Sequence, residues 1–272
     1  EVPFNMLREG LDIQVLKKLG ISAKGEPDLE KWKSFLYRLK NPLIEVNIGL
    51  VGKYVELKDA YKSISEAFIH AGAATQCKVK IKWIHSEKLE DNPDCIQEEL
   101  QGLNGILVAP GFGSRGIEGK IMAVRYAREN KIPFLGICLG MQCAVIEFAR
   151  NVLGYKDAHS VEMSASTTHP VIDIMEEQKL IQNMGGTMRL GAYPCKLKEN
   201  TKIYSAYQKE NISERHRHRY EFNNAYLEAF EQAGMIASGI NPDTNLVEVV
   251  EIPSHPYFVG VQYHPEYRST VV

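Results

Sequence analysis

A cysteine flanked by two glycines, Gly136-Ile137-Cys138-Leu139-Gly140, stands where an apolar run at 132–135 gives way to a helical pattern at 141–150. Strand, tight turn and helix is the frame that lifts a nucleophile clear of the backbone. Thiolate is the reactive form of cysteine, and a helix N-terminus favours it. The glycines suit a turn in which a side chain on either flank would crowd. A buried cysteine in a glycine-flanked turn would spell the same pentapeptide, because short motifs also arise by chance. Far downstream, Tyr263-His264-Pro265-Glu266 offers the rest of a cysteine hydrolase: a base, and a carboxylate to orient it. In an extended segment residues two apart point the same way, so His264 and Glu266 are expected on one face, the carboxylate fixing the imidazole tautomer. Alone, that tetrapeptide would read as a polar surface turn. Together the motifs point to acyl chemistry at Cys138, with His264 moving the proton and Glu266 holding His264.

The elements that must position these groups alternate along the chain. Strands are expected at 46–51, 79–84, 105–109 and 132–137, and helices at 60–70, 95–100, 116–130 and after Cys138. The alternating apolar and charged residues of 79–84 suit an edge or half-buried strand. Such βαβα order predicts an α/β fold, a mostly parallel central sheet flanked by helices. Further strands are expected at 192–197, 235–240, 247–251 and 257–261, with a helix at 222–232. Ligands in open parallel sheets bind outside the carboxyl ends of the strands. Cys138 ends one strand, and the loop Pro110-Gly111-Phe112-Gly113 follows another, so the two are expected to face each other. The loop lacks the Gly-Lys-Ser/Thr ending of a phosphate loop. Upstream, residues 1–20 read as one amphipathic helix, 20–27 as a break, and 29–39 as a second helix capped by Asp28 and ended by Asn41-Pro42.

Bulk properties narrow the classes. The 272 residues suit one large or two small domains, with 44% hydrophobic and 24% charged residues, ordinary for a globular protein. A net charge of −2 gives no electrostatic case for nucleic acid or a membrane surface. No stretch has the length of a membrane span, and the first residues form no signal sequence. The five cysteines (77, 95, 138, 143 and 195) show no Cys-x-x-Cys spacing, so no metal site or disulfide framework is expected, and a reducing cytoplasmic setting is the simplest reading. The run Arg215-His216-Arg217-His218-Arg219 would, on a strand, put arginines on one face and histidines on the other. A phosphate or nucleic-acid patch, or a metal role for the histidines, are its alternatives.

The pairing of Gly-Ile-Cys-Leu-Gly-Met-Gln at 136–142 with His-Pro-Glu at 264–266 resembles the class I (triad) glutamine amidotransferases. Four further stretches narrow this to the amidotransferase domain of the CTP synthase family: Gly-Leu-Val-Gly-Lys-Tyr at 49–54, Gly-Phe-Gly-Ser-Arg-Gly at 111–116, Met-Gly-Gly-Thr-Met-Arg-Leu-Gly at 184–191 and Glu-Arg-His-Arg-His-Arg-Tyr-Glu at 214–221. The resemblance runs from about residue 46 to the end. It implies a flavodoxin-like three-layer fold over 45–272, with 1–44 as the end of a ligase domain and a linker helix. The start at Glu and the end shortly after His-Pro-Glu fit an excised fragment.

The resemblance also implies hydrolysis of the glutamine side-chain amide through a glutamyl thioester on Cys138. His264 would protonate the departing ammonia and then activate water, with Glu266 as its partner. The Leu139 amide and Gly111 would hold the oxyanion. Glu162 would meet the α-ammonium of glutamine and Arg219 its α-carboxylate, with Gln142 and the backbone of Leu139, Gly140 and Met141 lining the pocket. Many members read Pro-Gly-Gly-Phe-Gly where this chain has Ala109-Pro110-Gly111-Phe112-Gly113, and Ser-Thr-Glu-Phe where it has Ser160-Val161-Glu162-Met163. Proline lacks an N–H, so oxyanion donation would fall on Gly111 or Phe112. The ammonia would serve a ligase domain that aminates UTP to CTP with ATP and Mg²⁺. GTP would be an allosteric effector, and the full-length family forms tetramers. A catalytically weak or regulatory domain on the same fold is the alternative, and a γ-glutamyl hydrolase a further one.

Overall fold

The computed structural model describes residues 1–22, 25–174 and 188–271. Three helices open it: α1 (Val2–Arg8), α2 (Leu11–Leu19) and α3 (Glu30–Lys40). The single helix expected over the first twenty residues is thus two, parted at Gly10, whose φ of +68° belongs to the left-handed region that glycine tolerates. The N-cap of α3 is Leu29, without a side-chain cap, rather than the expected Asp28; Asp28 stands one residue earlier and its carboxylate accepts the Glu30 N–H at 2.9 Å. Phe35 is the buried residue of α3 and packs edge-on against His70 of the next helix.

Alternating elements follow: β1 (Ile44–Gly52), α4 (Lys62–Thr75), β2 (Cys77–His85), α5 (Ser86–Asp91), α6 (Ile96–Leu100), β3 (Gly105–Val108), α7 (Ile117–Glu129), β4 (Phe134–Ile137) and α8 (Leu139–Asn151). The second half adds β5 (His159–Ser160), β6 (Pro170–Ile174), β7 (Arg189–Leu197), α9 (Lys202–Tyr207), β8 (Asn211–His218), β9 (Tyr220–Phe222), α10 (Leu227–Ala233), β10 (Ile236–Ile240), β11 (Val247–Glu251) and β12 (Phe258–Val261). Nine strands form the main sheet in the order β2-β1-β3-β4-β12-β11-β10-β7-β8, and β5-β6-β9 form a small one. From β2 to β12 the pairing is parallel; from β12 to β8 it is antiparallel. Phe222, expected to start a helix, ends β9 instead, where Ile172 of β6 pairs with it. Sequence reasoning yields no expectation of α5, β5, β6, β9 and α9, which are short, and reads β8 only conditionally, as a strand at 215–219.

Alternation along the strands builds a core on each side of the sheet. Val51, Ile106, Val108 and Phe134 join the layer that holds α7 and α8. Leu50, Leu107, Ile137 and Val261 join the other, with Tyr61, Ile64 of α4 and Ile203 of α9. β2 is one of the two edge strands of the main sheet, and its exposed Lys78, Lys80 and Lys82 deter edge pairing.

The layer over β3 and β4 is drawn tight by a glycine. A methyl on Gly119 of α7 would lie 1.9 Å from the Ser86 carbonyl oxygen of α5, a backbone atom that cannot swing aside. Overpacking of this kind costs about 1–3 kcal/mol, or roughly 2–4 °C of melting temperature per kcal/mol in a domain of this size. Gly119→Ala is therefore expected to lower the thermal midpoint by several degrees, and an unchanged midpoint would show that α5 and α7 separate freely.

Candidate active site

The parallel strands β1, β3, β4 and β12 end side by side, and each is followed by one part of the site. Cys138 follows β4 with φ +54° and ψ −105°, a conformation that costs a non-glycine residue about 1–3 kcal/mol. Neighbours hold it there. Its N–H donates to the Val261 carbonyl of β12 at 2.7 Å, and its carbonyl accepts the Gln142 N–H at 3.2 Å. Both flanking glycines are needed. A methyl at Gly136 would lie 2.6 Å from the Gly140 carbonyl, and one at Gly140 would lie 2.2 Å from the Val108 carbonyl at the end of β3. The sulfur sits above the first turn of α8, whose leading amides have no acceptor within the helix.

His264 comes three residues after β12, which pairs with β4, so it reaches the Cys138 side of the sheet. Its Nδ1 lies 2.8 Å from Glu266 Oε1. The extended segment expected here is not what joins them: Pro265–Arg268 is a 3-10 turn with His264 at its start, and the turn folds the carboxylate back under the imidazole. The Tyr267 ring stacks on the imidazole at 4.7 Å and 7°, and the His264 N–H donates to the Arg215 carbonyl at 2.8 Å. Nε2 is buried with no nitrogen or oxygen partner and interacts with the Cys138 thiol, whose Sγ also lies 4.0 Å from the Arg217 carbonyl. Burial pulls the imidazole down, but its interactions with Cys138 and Glu266 outweigh this and raise it to about 9. Burial pushes the Cys143 thiol, one turn further along α8, up to about 11, which sets it apart as a core residue.

The loop after β3 is gripped from behind. Lys120 is fully buried and its ammonium donates to the Ala109 carbonyl at 2.6 Å. Lys53, after β1, donates to the carbonyls of Phe112 and Gly113, both at 2.7 Å. A methyl on Gly111 would lie 3.4 Å from Leu139 Cδ2 and 3.7 Å from the Lys120 ammonium. Gly111 thus adjoins the residue after the nucleophile.

A small cleft over the sulfur is lined by Gly111, Phe112, Cys138, Gln142, Glu162, His218, Arg219 and Tyr220. Glu162 comes from the turn after β5, where its Oε1 accepts the Gly113 N–H at 3.1 Å. Arg219 occupies the single residue between β8 in the main sheet and β9 in the small one. Gln142 Nε2 donates to the Tyr220 carbonyl at 3.0 Å. Leu139 and Met141 do not border the cleft: their side chains lie in the core, and Gly140 abuts Val108. What these three can offer is backbone N–H. His218, Tyr220, Lys120, Lys53 and Tyr267 are the neighbours that sequence reasoning missed. Lys120 carried a signal, since it falls on the apolar stripe of α7 with Ile117, Ile121 and Val124. Tyr220 and Arg215 act through carbonyls, which leave no mark in a sequence.

Residues 56–272 match the family described as "Glutamine amidotransferase class-I". The chain belongs to the class I glutamine amidotransferases. It is 65% identical to the CTP synthase of Cytophaga hutchinsonii, 62% to that of Flavobacterium johnsoniae and 58% to that of Bacteroides fragilis, each time over the whole chain. It spans about half the length of these curated relatives, 50–51%. A solved structure of the Trypanosoma brucei CTPS glutaminase domain with bound acivicin superposes with a TM-score of 0.78 at 41% identity, over 83% of this chain and 88% of that one.

In this amidotransferase the basic run divides as the alternation predicts, with one exception. Arg215 and Arg217 are exposed and His216 and His218 buried, whereas Arg219 leaves the strand. Of the stretch at 184–191, residues 184–187 lie outside the described residues. Arg189 opens β7 and is buried between Glu221 at 2.9 Å and Glu248 at 2.8 Å. Among the described residues no cluster of three or more His, Cys, Asp or Glu could hold a metal, and no helix is long and apolar enough to cross a membrane.

Burial pulls the Lys120 ammonium down to about 8, against 10.5 for a free lysine. Between these values the unfolded chain keeps a proton that the folded chain releases, so this group makes stability rise with pH through that window. The full effect is on the order of 3 kcal/mol from the shift of 10.5 to about 8. Titrating groups common to both proteins cancel in a comparison with Lys120→Met. Denaturant midpoints from pH 7.5 to 10.5 should show wild type gaining on the variant as pH rises. A pH-independent difference would mean that the amine reaches solvent.

Proposed function

We propose that this chain is a glutaminase that releases ammonia from the glutamine side chain. The observation that carries the reading is a strained cysteine and a buried His264–Glu266 pair at the ends of adjacent strands, over a cleft bearing one acid and one arginine. Cys138 attacks the amide carbon. The raised His264 takes the thiol proton as Cys138 attacks and holds it as an imidazolium. The imidazolium gives its proton to the departing ammonia, leaving a glutamyl thioester, and neutral His264 then takes a proton from water as it attacks the thioester. Glu266 keeps Nδ1 protonated, so that Nε2 does the transfer. The Leu139 amide and an amide of the Gly111-Phe112 pair meet the oxyanion, a contribution of about 2.7–4 kcal/mol per donor where one has been removed. Glu162 suits the α-ammonium, and the Arg219 fork the α-carboxylate.

The whole protein in this reading is a CTP synthase. Its ligase domain, tied on through residues 1–44, would use the ammonia to aminate UTP with ATP and Mg²⁺, GTP would stimulate the glutaminase, and the assembly would be a cytoplasmic tetramer. Support comes from the identity to CTP synthases and from free cysteines at all five positions.

Glutamate release from glutamine is the test, with and without GTP. The chain should release glutamate, and Cys138→Ala should fall to background, since the covalent route is gone. Stimulation by GTP would put part of an effector site in this chain. Release that persists in Cys138→Ala would sink the assignment of the nucleophile.

A further inference from the structure

Behind the cleft runs a buried chain of polar groups that the proposed reaction does not use. It begins at Arg189, held by Glu221 and Glu248. His216 Nε2 lies 3.7 Å from Glu248 Oε2. His216 Nδ1 lies 2.8 Å from His218 Nε2. His218 Nδ1 faces the Tyr220 carbonyl at 3.2 Å and Glu221 Oε1 at 3.4 Å. That same carbonyl accepts Gln142 Nε2 at 3.0 Å, and Gln142, His218 and Tyr220 border the cleft with Cys138. The other groups facing the two imidazoles are the rings of Tyr193 and Tyr263 at 5.4 and 6.0 Å from His216, and, further off, His264.

The protons in this chain can be deduced. His218 Nδ1 faces a carbonyl and a carboxylate oxygen already bound by Arg189, so it must carry a hydrogen. Burial, with the charge of Arg189 nearby, holds both imidazoles down and therefore neutral, His216 at about 3. His218 Nε2 is then bare and accepts, so His216 Nδ1 must carry the hydrogen between them. His216 Nε2 is bare in turn and faces Glu248 Oε2, and neither atom has another partner or contact with solvent. Two lone pairs turned on each other repel; a proton on Glu248 Oε2 makes the 3.7 Å approach an attractive polar contact, though not a hydrogen bond. The charge count agrees. One guanidinium among two buried carboxyls is neutral only if one carboxyl keeps its proton; burial pushes both up, Glu221 to about 8. Although Asn241 also hydrogen-bonds the Glu248 carboxyl, the bare His216 Nε2 facing Glu248 Oε2 is what assigns the shared proton to Glu248.

We propose that His216 and His218 are positioning residues of the glutamine cleft: His216 donates to His218 and His218 to the Tyr220 carbonyl, a one-way relay whose outer end is set by polar contact with a protonated Glu248. The chain fixes the carbonyl that anchors Gln142 and with it the bend carrying Arg219. Only the kinetic consequence rests on the glutaminase reading; the tautomers do not.

Imidazole nitrogen NMR of the whole chain tests it directly. Both histidines should be neutral Nδ1–H tautomers, unchanged between pH 6 and 8. An imidazolium, or an Nε2–H tautomer, at either residue would overturn the proposal whether or not the chain hydrolyses glutamine. Kinetics supply the second arm. Glu248→Met, which loses the donor, should raise the KM for glutamine at least tenfold with a smaller change in kcat. Glu248→Gln, which keeps an acceptor for Arg189 and gives His216 an N–H, should recover most of that loss. Equal damage from both would mean that Glu248 acts through its charge, and the proposal would fail. The thermal midpoint of each variant checks that the fold survives. A wild-type chain without glutaminase activity would defeat the functional reading and leave the NMR result to decide this one.

Discussion

The contact on which the site depends is between two backbones. Gly140 lies so close to the Val108 carbonyl that a methyl would come within 2.2 Å of it, and this seats the first turn of α8 directly on the end of β3. With the helix start fixed there, the single residue between β4 and α8 has to turn sharply, and Cys138 takes a φ of +54°. The same contact brings Leu139 beside Gly111, so the two loops that could share an oxyanion are adjacent by construction. A larger residue at 140 would lift the helix and part the thiol from both loops.

A second principle is the way buried charge is handled around that contact. Lys53 and Lys120 are turned toward loop carbonyls, Arg189 toward two carboxyls, and His264 toward Glu266. Each cation directs its hydrogen bonds to the protein itself. Removing one partner of such a pair is far more costly than never having built it, so these groups hold their neighbours in one geometry. That rigidity suits a cleft in which donors must already point at a developing charge before the reaction starts. At His264 the balance runs the other way from burial: its interactions with Cys138 and Glu266 hold the proton on an imidazole that burial alone would strip.

Much of the frame was legible in the sequence. The βαβα order, the edge character of β2, the strand-to-helix turn at Cys138 and the glycine requirement all follow from local rules that tertiary contacts did not override. The pairing of His264 with Glu266 was also readable, though its geometry was not: proline at 265 favours a turn start, and the 3-10 turn brings the carboxylate round. What stayed hidden depends on contacts distant in sequence. Arg219 breaks the Arg-His alternation because β9 pairs with β6 in another sheet, and that pairing has no local signature. Gln142, Tyr220 and Arg215 meet through main-chain carbonyls. The split at Gly10 was visible as a glycine but outweighed by the periodicity on either side.

The departure at Pro110 shows how the two principles meet. Proline removes an amide from the loop, which looks like a loss for oxyanion binding. Yet the carbonyls on either side, of Ala109, Phe112 and Gly113, are drawn back by Lys120 and Lys53, and the Gly113 amide is taken by Glu162. In a peptide unit the N–H points opposite to the C=O before it, so a carbonyl held from behind turns the next amide away from the ammonium. The Phe112 carbonyl on Lys53 and the Gly113 amide on Glu162 are two ends of one such unit. The amides of Gly111 and Phe112 are then the ones in the middle of the loop that neither clamp claims, and they lie next to Leu139. Proline, with its fixed φ, stiffens the loop at the point where it gives up a donor, so the sequence trades one amide for a loop held at both ends.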